Sequence, residues 1–238
     1  MIDMIQQNTA SFPKHIAIIM DGNARWAKER NIPKAVGYKQ GIQSAQEIIA
    51  YSQYLGIKYL TLYAFSLENW ERPKNEVISL MSIFRSYLSK DIEALIQNNT
   101  RIIFIGDRLK LDKDIRDSMK SIEDKSLKNN FILIIAMSYG ARDEIAKAVL
   151  KLNKKYNKEY LENHNIQELL EDVMNPHAIP NPDLLIRTSG EKRLSNFLLW
   201  QIAYTELYFI NKYWPDFNKQ DLLDAIDDFN KRIRRHGK

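Results

Sequence analysis

Short apolar runs alternate along the chain with longer segments in which apolar residues recur at helical spacing. The short runs are rich in β-branched and aromatic side chains, which favour strands, and the longer segments indicate amphipathic helices. Strands are predicted at residues 15–20, 59–65, 102–105, 131–137, 184–187 and 207–210. Helices are predicted at residues 38–54, 76–98, 112–127, 142–156 and 166–174, from residue 219 onward, and in a short polar segment that starts at Gly22. This alternation predicts an α/β fold, with a mainly parallel central sheet of about six strands covered by helices on both faces.

A single domain spanning residues 1–238 is the simplest interpretation of the length and composition. The 238 residues are 45% hydrophobic, which is enough for one substantial core. No linker rich in Gly, Ser or Pro divides the sequence, and no internal repeat is evident. Residues 1–12 are polar and lack the features of a signal peptide, so we expect a flexible N-terminal segment there.

Composition and charge exclude several classes of protein. The chain has no cysteine, which rules out a disulfide scaffold and a thiolate metal site. No apolar stretch approaches the length that spans a bilayer. The net charge of +5 suits anionic partners, namely nucleic acid, phosphorylated metabolites or anionic lipid. Much of the excess lies in residues 231–238, where the alternative is a solvated helix end.

The predicted sheet indicates where a ligand would bind. Ligands of parallel α/β sheets bind beyond the carboxyl ends of the strands. This rule selects the loops that begin at Asp21, Ser66, Ser138 and Thr188. We therefore expect functional side chains in these loops.

The first loop, residues 20–26, combines a carboxylate with groups that bind phosphate. Asp21 follows a buried strand, and Gly22 and the next backbone amides open a helix that carries Arg25. Such amides and an arginine bind phosphate, whereas Asp21 would repel it unless a cation such as Mg²⁺ lay between them. The alternative is that Asp21 or Asn23 simply caps the helix.

Two further loops carry side chains that suit anions. Residues 65–73 combine hydroxyl, amide, arginine and aromatic groups, although a polar loop anchored to the core by an aromatic residue is the alternative. In residues 185–197, Arg187 and Arg193 flank hydroxyls and a glycine turn, which suits a diphosphate. An ordinary basic surface loop is the alternative, but Arg187 ends an apolar strand, where an unpaired charge would be costly. Together the loops predict a Mg²⁺-assisted site for two phosphorylated ligands.

Several long motifs follow one another along the chain. They read HIAIIMDGN at 15–23, YAFS at 63–66, ENW at 68–70, RP at 72–73, DLLIRTSGE at 183–191, LSNFLLWQ at 194–201, ELYF at 206–209 and WPDF at 214–217. In this order they resemble the cis-prenyltransferase family, in particular bacterial undecaprenyl diphosphate synthases. The resemblance spans about residues 13–237.

The resemblance implies an activity. The enzyme would add isopentenyl diphosphate repeatedly to an allylic diphosphate, with farnesyl diphosphate as primer and undecaprenyl diphosphate, the lipid-carrier precursor for cell-wall synthesis, as product. It implies Mg²⁺ as cofactor, a homodimer, no nucleic-acid partner and a cytoplasmic location, with peripheral contact at the inner face of the membrane left open. It also implies an apolar tunnel for the growing chain. Candidates to line the tunnel are Ile103, Ile105, Leu133, Ile135 and the helix from Glu76, and ordinary core is the alternative for each.

The resemblance further implies a role for each matching residue. Asp21 would be catalytic, holding Mg²⁺ against the allylic diphosphate, and Glu206 would be a second Mg²⁺ ligand, with completion across a dimer interface left open. The allylic substrate would be bound by Gly22, Asn23, Ala24, Arg25, Trp26, Lys34, Tyr38, Ser66, Leu67, Glu68, Trp70 and Arg72. Isopentenyl diphosphate would be bound by Arg187, Arg193 and Ser195, and Leu194 would also be a substrate-binding residue. Arg235, His236 and Gly237 match a terminal Arg-x-Gly motif that would reach the diphosphate of the partner subunit.

Asn69 occupies the position that the family usually assigns to the proton acceptor. A neutral amide is a very poor base, because general-base catalysis needs a group whose pKa lies nearer the working pH. We therefore expect Asn69 to orient the substrate or a water, while a diphosphate oxygen takes the proton.

Five positions depart from the residues usual in the family. Ala24 replaces a glycine, and Ser138 and Ala141 replace an asparagine and a glycine. Lys34 replaces an arginine, which removes bidentate contact with phosphate. Tyr38 replaces a histidine, which removes a group that titrates near neutral pH.

Three other functions remain as alternatives at this point. An all-helical trans-prenyltransferase would need paired Asp-Asp-x-x-Asp motifs, and the one Asp pair, at residues 227–228, lacks the third aspartate. A non-catalytic subunit that activates a partner tends to lose the aspartate motif, whereas Asp21, Arg25 and Glu206 are present. A nucleic-acid binder rests on the basic C-terminal residues alone.

Overall fold

The computed structural model describes residues 12–90 and 92–233. Its strands are β1 (His15–Ile19), β2 (Tyr59–Ser66), β3 (Thr100–Ile105), β4 (Phe131–Tyr139), β5 (Leu184–Arg187) and β6 (Glu206–Phe209). They form one six-stranded sheet in the order β3-β4-β2-β1-β5-β6. The pairs β1–β5, β5–β6 and β3–β4 are parallel, and helices flank the sheet. The predicted α/β fold is thus confirmed.

The helices of the described residues follow the predicted alternation. They are α1 (Asn23–Glu29), α2 (Lys34–Tyr54), α3 (Lys74–Lys90), α4 (Ile92–Gln97), α5 (Lys113–Ser126), α6 (Ala141–Lys155), α7 (Lys158–Glu162), α8 (Ile166–Met174) and α9 (Lys219–Lys231). Short 3₁₀ helices cover Leu67–Glu71, Arg108–Lys110 and Trp214–Asp216. The helix predicted at 76–98 corresponds to α3 and α4, which lie on either side of residue 91, outside the described residues, and α7 was not predicted.

The described residues form two compact units, and the first contains residues 12–60, 182–192 and 204–233. All five residues of β1 are buried, as expected for a parallel strand covered on both faces. Helix α2 packs against α1 and against the Trp214–Asp216 turn, and α9 packs against α2 and β6. Helix α9 starts with a capping box in which Asn218 and Asp221 bind each other's backbone amides. The carboxyl ends of β1 and β5 carry the first set of predicted site residues.

The second unit contains residues 61–181 and 193–203. Strands β3 and β4 pair in parallel from Thr100 opposite Phe131 to Ile105 opposite Ala136. Helix α5 packs against β3, and the Ser126 hydroxyl near its end accepts a hydrogen bond from the Ile102 amide at 3.0 Å. The second set of predicted site residues lies in this unit.

Four predictions stay predictions: the apolar tunnel, the single-domain boundaries, the flexible segment at 1–12 and the role of the motif at 235–237. Ile103, Leu133 and Ile135 are buried and Ile105 is partly buried, which is compatible with core and does not define a tunnel. The boundaries of a single domain at 1–238 stay a prediction. The flexible segment predicted at 1–12 lies outside the described residues except for Phe12, and the motif at 235–237 lies wholly outside them. Among the described helices, none combines the length and apolar character needed to cross a bilayer.

Candidate active site

The Asp21 carboxylate lies between two arginines at the carboxyl ends of β1 and β5. Its Oδ1 is 3.0 Å from Arg25 Nη2, and its Oδ2 is 2.9 Å from Arg187 Nη2. The Arg187 side chain is only 4% exposed, so Asp21 is its counterion in a largely dehydrated position. Burial by itself raises the pKa of Asp21, but hydrogen bonds and charges from Arg187 and Arg25 outweigh burial and leave the pKa below its ordinary value. Asp21 is therefore ionised at neutral pH.

The backbone of Asp21 is also fixed. The Asp21 amide donates to Thr188 Oγ1 at 2.9 Å, and the Thr188 hydroxyl donates to the Asp21 carbonyl at 2.6 Å. The Trp214 amide donates to the same carbonyl at 3.0 Å. Because these contacts join β1, β5 and the turn after β6, the carboxylate direction is set by the fold itself.

The start of α1 has no side-chain cap. The residue before the helix is Gly22, with a φ of 110°, and no side chain accepts a hydrogen bond from the first-turn amides. Asn23 instead donates from Nδ2 to the Met20 carbonyl at 3.3 Å. The alternative in which Asp21 or Asn23 caps this helix is therefore wrong, since the Asp21 carboxylate is bound by arginines.

Two glycines of α2 allow close approach of α1. A Cβ atom on Gly37 would lie 2.3 Å from the Asn23 carbonyl oxygen, and one on Gly41 would lie 2.1 Å from Asn23 Oδ1. On the other side, a Cβ atom on Gly22 would lie 2.6 Å from Tyr213 Cδ1. All three distances are shorter than van der Waals contact, so the loop after β1 fits closely between α2 and Tyr213 only because these three positions lack side chains.

Arg25 also joins the loop after β5. Its Nη2 donates to Ser189 Oγ at 2.6 Å, and its Nη1 is 2.8 Å from Glu191 Oε1. Ser189 and Gly190 have φ values of 73° and 74°, so the chain turns sharply here. Burial by itself lowers the pKa of Arg25, and the Asp21 and Glu191 carboxylates outweigh burial and raise the pKa. Three partners, Asp21, Ser189 and Glu191, therefore fix the orientation of the Arg25 guanidinium.

Trp26 forms part of the wall beside this loop. Its Nε1 donates to Asp216 Oδ1 at 2.7 Å. The Arg30 guanidinium lies 4.3 Å from the centre of the Trp26 ring and binds Asp216 Oδ2 at 3.0 Å. Lys34 is exposed at the start of α2, and Tyr38 is partly buried one turn later. The substrate-binding roles of Trp26, Lys34 and Tyr38 remain predictions.

Glu206 lies at the other end of the strands. It is the first residue of β6 and pairs with the first residue of β5, whereas Arg187 ends β5. Three strand residues span about 10 Å, and Asp21 comes beyond Ile19, which pairs with Arg187. Within one chain, Glu206 is therefore too far from Asp21 to share a metal ion. Its Oε2 accepts from Arg232 Nη1 at 2.7 Å.

In the second unit, a capping box shapes the loop after β2. The Asn69 amide donates to Ser66 Oγ at 3.2 Å, and the Ser66 amide donates to Asn69 Oδ1 at 3.1 Å. This pair starts the Leu67–Glu71 turn, which carries Glu68 and Trp70. The Asn69 Oδ1 atom thus accepts a hydrogen bond from the backbone of its own turn, and the Nδ2 group is the part of the side chain that can donate to another partner.

Two side-chain contacts anchor the C-terminal end of the Leu67–Glu71 turn. Trp70 Nε1 donates to Ser138 Oγ at 2.9 Å, which ties the turn to the end of β4. Arg72 Nη1 is 3.1 Å from Glu76 Oε1 in the first turn of α3. The structure therefore brings the predicted residues of this loop together as one unit.

The predicted isopentenyl diphosphate residues of this unit lie in one short loop. Arg193 and Ser195 are exposed and Leu194 is partly buried. The Tyr63 hydroxyl reaches the Ser195 carbonyl at 3.4 Å, and the Tyr63 ring stacks on Phe197 at 4.3 Å. Aromatic packing against β2 thus anchors the loop.

Near this loop, Glu144 is a partly buried acid with no assigned role. Its Oε2 accepts from the Tyr139 hydroxyl at 2.7 Å and from Gln201 Nε2 at 2.9 Å. Burial raises the pKa of Glu144 above its ordinary value of 4.5, despite the two hydrogen bonds that lower it. A raised folded-state pKa means that the folded protein binds more protons than the unfolded chain, so stability falls as pH rises from about 4.5 through the raised pKa.

We expect Glu144→Gln to remove this fall in stability. The amide oxygen can accept from both Tyr139 and Gln201, and the amide does not titrate. Urea unfolding between pH 4 and pH 8 should give a flatter profile for the variant than for the wild type. Glu159→Gln, at an exposed position of α7, is the control and should keep the wild-type slope. Equal slopes in Glu144→Gln and the wild type would contradict the assignment.

Comparison with known proteins identifies the family. A family model for undecaprenyl diphosphate synthase matches residues 19–237. The chain belongs to this prenyltransferase family. The isoprenyl transferase of Clostridium tetani is 46% identical over 237 residues, which are 99% of this chain and 93% of the relative. That of Aquifex pyrophilus is 46% identical over 227 residues, 95% of this chain and 96% of the relative.

Solved structures of the family share the fold. A lavandulyl diphosphate synthase from Lavandula x intermedia, in complex with dimethylallyl diphosphate, matches with a TM-score of 0.91 and 38% identity, covering 95% of this chain and 99% of that chain. A probable undecaprenyl diphosphate synthase from Campylobacter jejuni matches with a TM-score of 0.78 and 32% identity, covering 96% and 100%. The chain is therefore a prenyl transferase, and the all-helical alternative is excluded by its sheet.

Several residues that shape the site were not predicted. The loop that carries Asp21, or the helix α1 that follows it, is contacted by Arg30, Asp216 and Tyr213. Gly37 and Gly41 of α2 leave room for α1 because they have no side chain. The Gly-x-x-x-Gly spacing in the first turns of α2 was a usable signal, because it places two residues without side chains on one helix face. The contacts of Asp216 had no local signal, since it lies far along the chain from Trp26.

Proposed function

We propose that the protein condenses isopentenyl diphosphate repeatedly onto farnesyl diphosphate to make undecaprenyl diphosphate, the lipid-carrier precursor for cell-wall synthesis. The observation that carries this proposal is the ionised Asp21 carboxylate, held between Arg25 and Arg187 beside a helix start that no side chain caps. Membership of the family supports prenyl transfer. The lavandulyl diphosphate synthase of similar fold is in complex with dimethylallyl diphosphate, which supports an allylic diphosphate as one substrate.

Mg²⁺ is the proposed cofactor, with Asp21 as its ligand from this chain. Within residues 12–90 and 92–233, no cluster of three or more Asp, Glu, His or Cys side chains could hold a metal. Mg²⁺ is usually bound through one or two carboxylates together with substrate phosphates. Asp21 fits this mode, because each of its oxygens accepts one arginine hydrogen bond and keeps a further lone pair. When bound, Mg²⁺ would offset the charge of the departing diphosphate.

The proposed second ligand, Glu206, would act on the site of a partner subunit. The strand register supports this arrangement, because Glu206 and Asp21 of one chain lie at opposite ends of the strands. A homodimer is therefore proposed as the active form. The cytoplasm, with peripheral contact at the inner face of the membrane during product release, is the proposed location.

The side chains suit ionisation of an allylic diphosphate. Arg25 and Arg187 would stabilise the diphosphate as the allylic C–O bond breaks and positive charge grows on the allyl group. Arg187, Arg193 and Ser195 are the proposed ligands of isopentenyl diphosphate, whose double bond is the nucleophile. The double bond then attacks, a diphosphate oxygen takes the proton that is lost, and the new double bond is cis.

The direct test is a product assay. Purified protein is incubated with labelled isopentenyl diphosphate, Mg²⁺ and either dimethylallyl, geranyl or farnesyl diphosphate, and the products are sized by chromatography. We expect a long polyprenyl diphosphate with farnesyl diphosphate as the best primer. Absence of any polyprenyl product with all three primers would contradict the proposal, and a short product would contradict the proposed chain length alone.

Asn69→Asp tests whether Asn69 is a base. The carboxylate can still accept from the Ser66 amide, so the turn should persist, but the Nδ2 donor is lost. We expect kcat to fall by about tenfold to a hundredfold, the cost of one hydrogen bond to a reacting group, with no new acidic limb in the pH profile. Full activity together with a new carboxylate-like pH dependence would instead make residue 69 the proton acceptor.

A further inference from the structure

We propose that Asn196 is a positioning residue for prenyl transfer, holding the Leu67–Glu71 turn in register with the loop that carries Arg193 and Ser195. The inference rests on the proposed function and extends it to a residue outside the predicted site. Asn196 lies directly after Ser195 in the second unit, and its contacts reach Glu68, next to Asn69.

The side chain and carbonyl of Asn196 serve two elements at once. Its Nδ2 donates to Glu68 Oε1 at 2.8 Å. Its Oδ1 accepts from the Arg142 amide at 2.9 Å, and its carbonyl accepts from the Ala141 amide at 2.8 Å. These two amides belong to the first turn of α6, where no side chain of the preceding residue provides a cap. The side-chain amide of Asn196 thus caps α6 and also binds Glu68 of the Leu67–Glu71 turn.

The local backbone admits few other residues. Asn196 has a φ of 61° and Ser195 a φ of 48°, both in the left-handed region that asparagine tolerates better than most residues. A Cβ atom on Gly140 would lie 2.7 Å from Asn196 Nδ2 and 3.1 Å from Leu67 Cδ1. The close approach of α6, Asn196 and the Leu67–Glu71 turn therefore depends on a glycine as well as on the asparagine.

The contact also fixes the charge of Glu68. Burial by itself raises the pKa of Glu68, and the hydrogen bond from Asn196 is the strongest of the effects that outweigh it and lower the pKa. Glu68 therefore remains an acceptor at neutral pH, and the Asn196 amide donates to a carboxylate. Such charge-assisted hydrogen bonds are stronger and more directional than neutral ones.

The consequence is a mechanical link between two loops. The Ser66–Asn69 capping box makes the Leu67–Glu71 turn rigid, and Asn196 ties that turn to the residue that follows Ser195. A change at Asn196 should therefore misalign the reacting groups without removing any of them. Misplacement by about 1 Å can cost a hundredfold in rate.

The experiment reverses the direction of the hydrogen bond. Asn196→Asp keeps the acceptor for Arg142 and tolerance of the backbone angle, but it places two carboxylates in contact. We expect kcat to fall about tenfold to a hundredfold, while KM for farnesyl diphosphate stays within about twofold. In Asn196→Asp with Glu68→Gln, the introduced glutamine can donate to the introduced aspartate, and kcat should recover to within about threefold of Glu68→Gln alone.

Amide hydrogen exchange provides a second measurement, which does not depend on catalytic activity. Amides of residues 67–71 should exchange faster in Asn196→Asp and return towards the wild-type rate in the double variant. Asn153→Asp, on the exposed face of α6, adds the same charge and should change neither exchange nor kcat.

The outcomes separate the two proposals. Wild-type protein that makes no polyprenyl product refutes the proposed function. Active wild type with normal kcat in Asn196→Asp overturns the positioning role alone. A double variant that is no better than Asn196→Asp also overturns it, because the defect would then come from the new charge at position 196 and not from its contact with Glu68.

Discussion

Asp21→Asn lowers kcat for prenyl transfer by about a thousandfold or more, within the range that follows the loss of a principal electrostatic group. Asparagine has the same shape but no charge, so it cannot hold Mg²⁺ against the diphosphate. The side-chain nitrogen of the introduced asparagine would also face one of the two arginines. Both groups only donate hydrogen bonds, so that contact would be lost. The chemistry is therefore lost even though the loop keeps its backbone contacts with Thr188.

The same substitution should lower the free energy of unfolding by about 3 kcal/mol, because Arg187 is buried and loses its counterion. Removal of the side chain in Asp21→Ala should cost at least as much, so Asp21→Asn is the cleaner test of chemistry. The lowered pKa of Asp21 also predicts a pH effect. The stability from this carboxylate is present above its unfolded value of 3.8 and is lost as pH falls through the lower folded value, and the variant should lack this acidic loss.

Three measurements check these expectations. The labelled product assay gives kcat, urea unfolding monitored by circular dichroism gives stability, and calorimetry with inorganic pyrophosphate gives Mg²⁺ binding in the wild type and its loss in the variant. Asp114→Asn removes one exposed carboxylate from the ion pair with Arg85 and should leave kcat unchanged. Turnover within tenfold of the wild type in Asp21→Asn would contradict the metal and leaving-group role.

Gly37→Ala should damage the site from a residue that touches no substrate. In a helix interior this change normally stabilises by about 1 kcal/mol. Here the added Cβ would lie 2.3 Å from the Asn23 carbonyl oxygen and 3.1 Å from Ala27 Cβ, so α1 and α2 must separate. We expect kcat/KM for the allylic substrate to fall about a hundredfold and the free energy of unfolding to fall by about 2 kcal/mol.

Gly56→Ala is the matched control for Gly37→Ala. Gly56 has a φ of 79°, so alanine is strained there, but no atom lies within 4 Å of the added Cβ. The control should lose about 1 kcal/mol of stability and keep wild-type kinetics. Steady-state kinetics and urea unfolding of both variants check the contrast. Normal kcat/KM in Gly37→Ala would show that α1 tolerates the displacement.

Local sequence pattern was a good guide to the strands. The prediction for residues 184–187 matches β5, and that for residues 15–20 exceeds β1 by one residue, because buried parallel strands are continuous apolar runs with polar ends. Helix α2 begins at Lys34, four residues before the predicted start, since its first turn after Pro33 is exposed and carries no apolar periodicity. Boundaries thus failed where burial is weak.

The site was predictable only as far as its chemistry is local. Asp21 and Arg25 lie one helical turn apart, and Arg187 ends a strand, so their charges alone suggested an anion site. The positions of Asp216 and Asn196 depend on contacts between distant segments, which no local pattern encodes. That Asp21 and Glu206 lie at opposite ends of the strands likewise follows only from the strand register, which the sequence does not reveal.

The enclosure of the loop after β1 has an evolutionary consequence. Ala24 is partly buried, so the loop accommodates a methyl group at this position. Gly37 and Gly22 have no such freedom, because any side chain there would strike Asn23 or Tyr213. Sequence variation is therefore expected at position 24 and not at Gly22 of the same loop or at Gly37 of the neighbouring helix. A redesign that seeks other diphosphate ligands should accordingly vary position 24 and leave the two glycines unchanged.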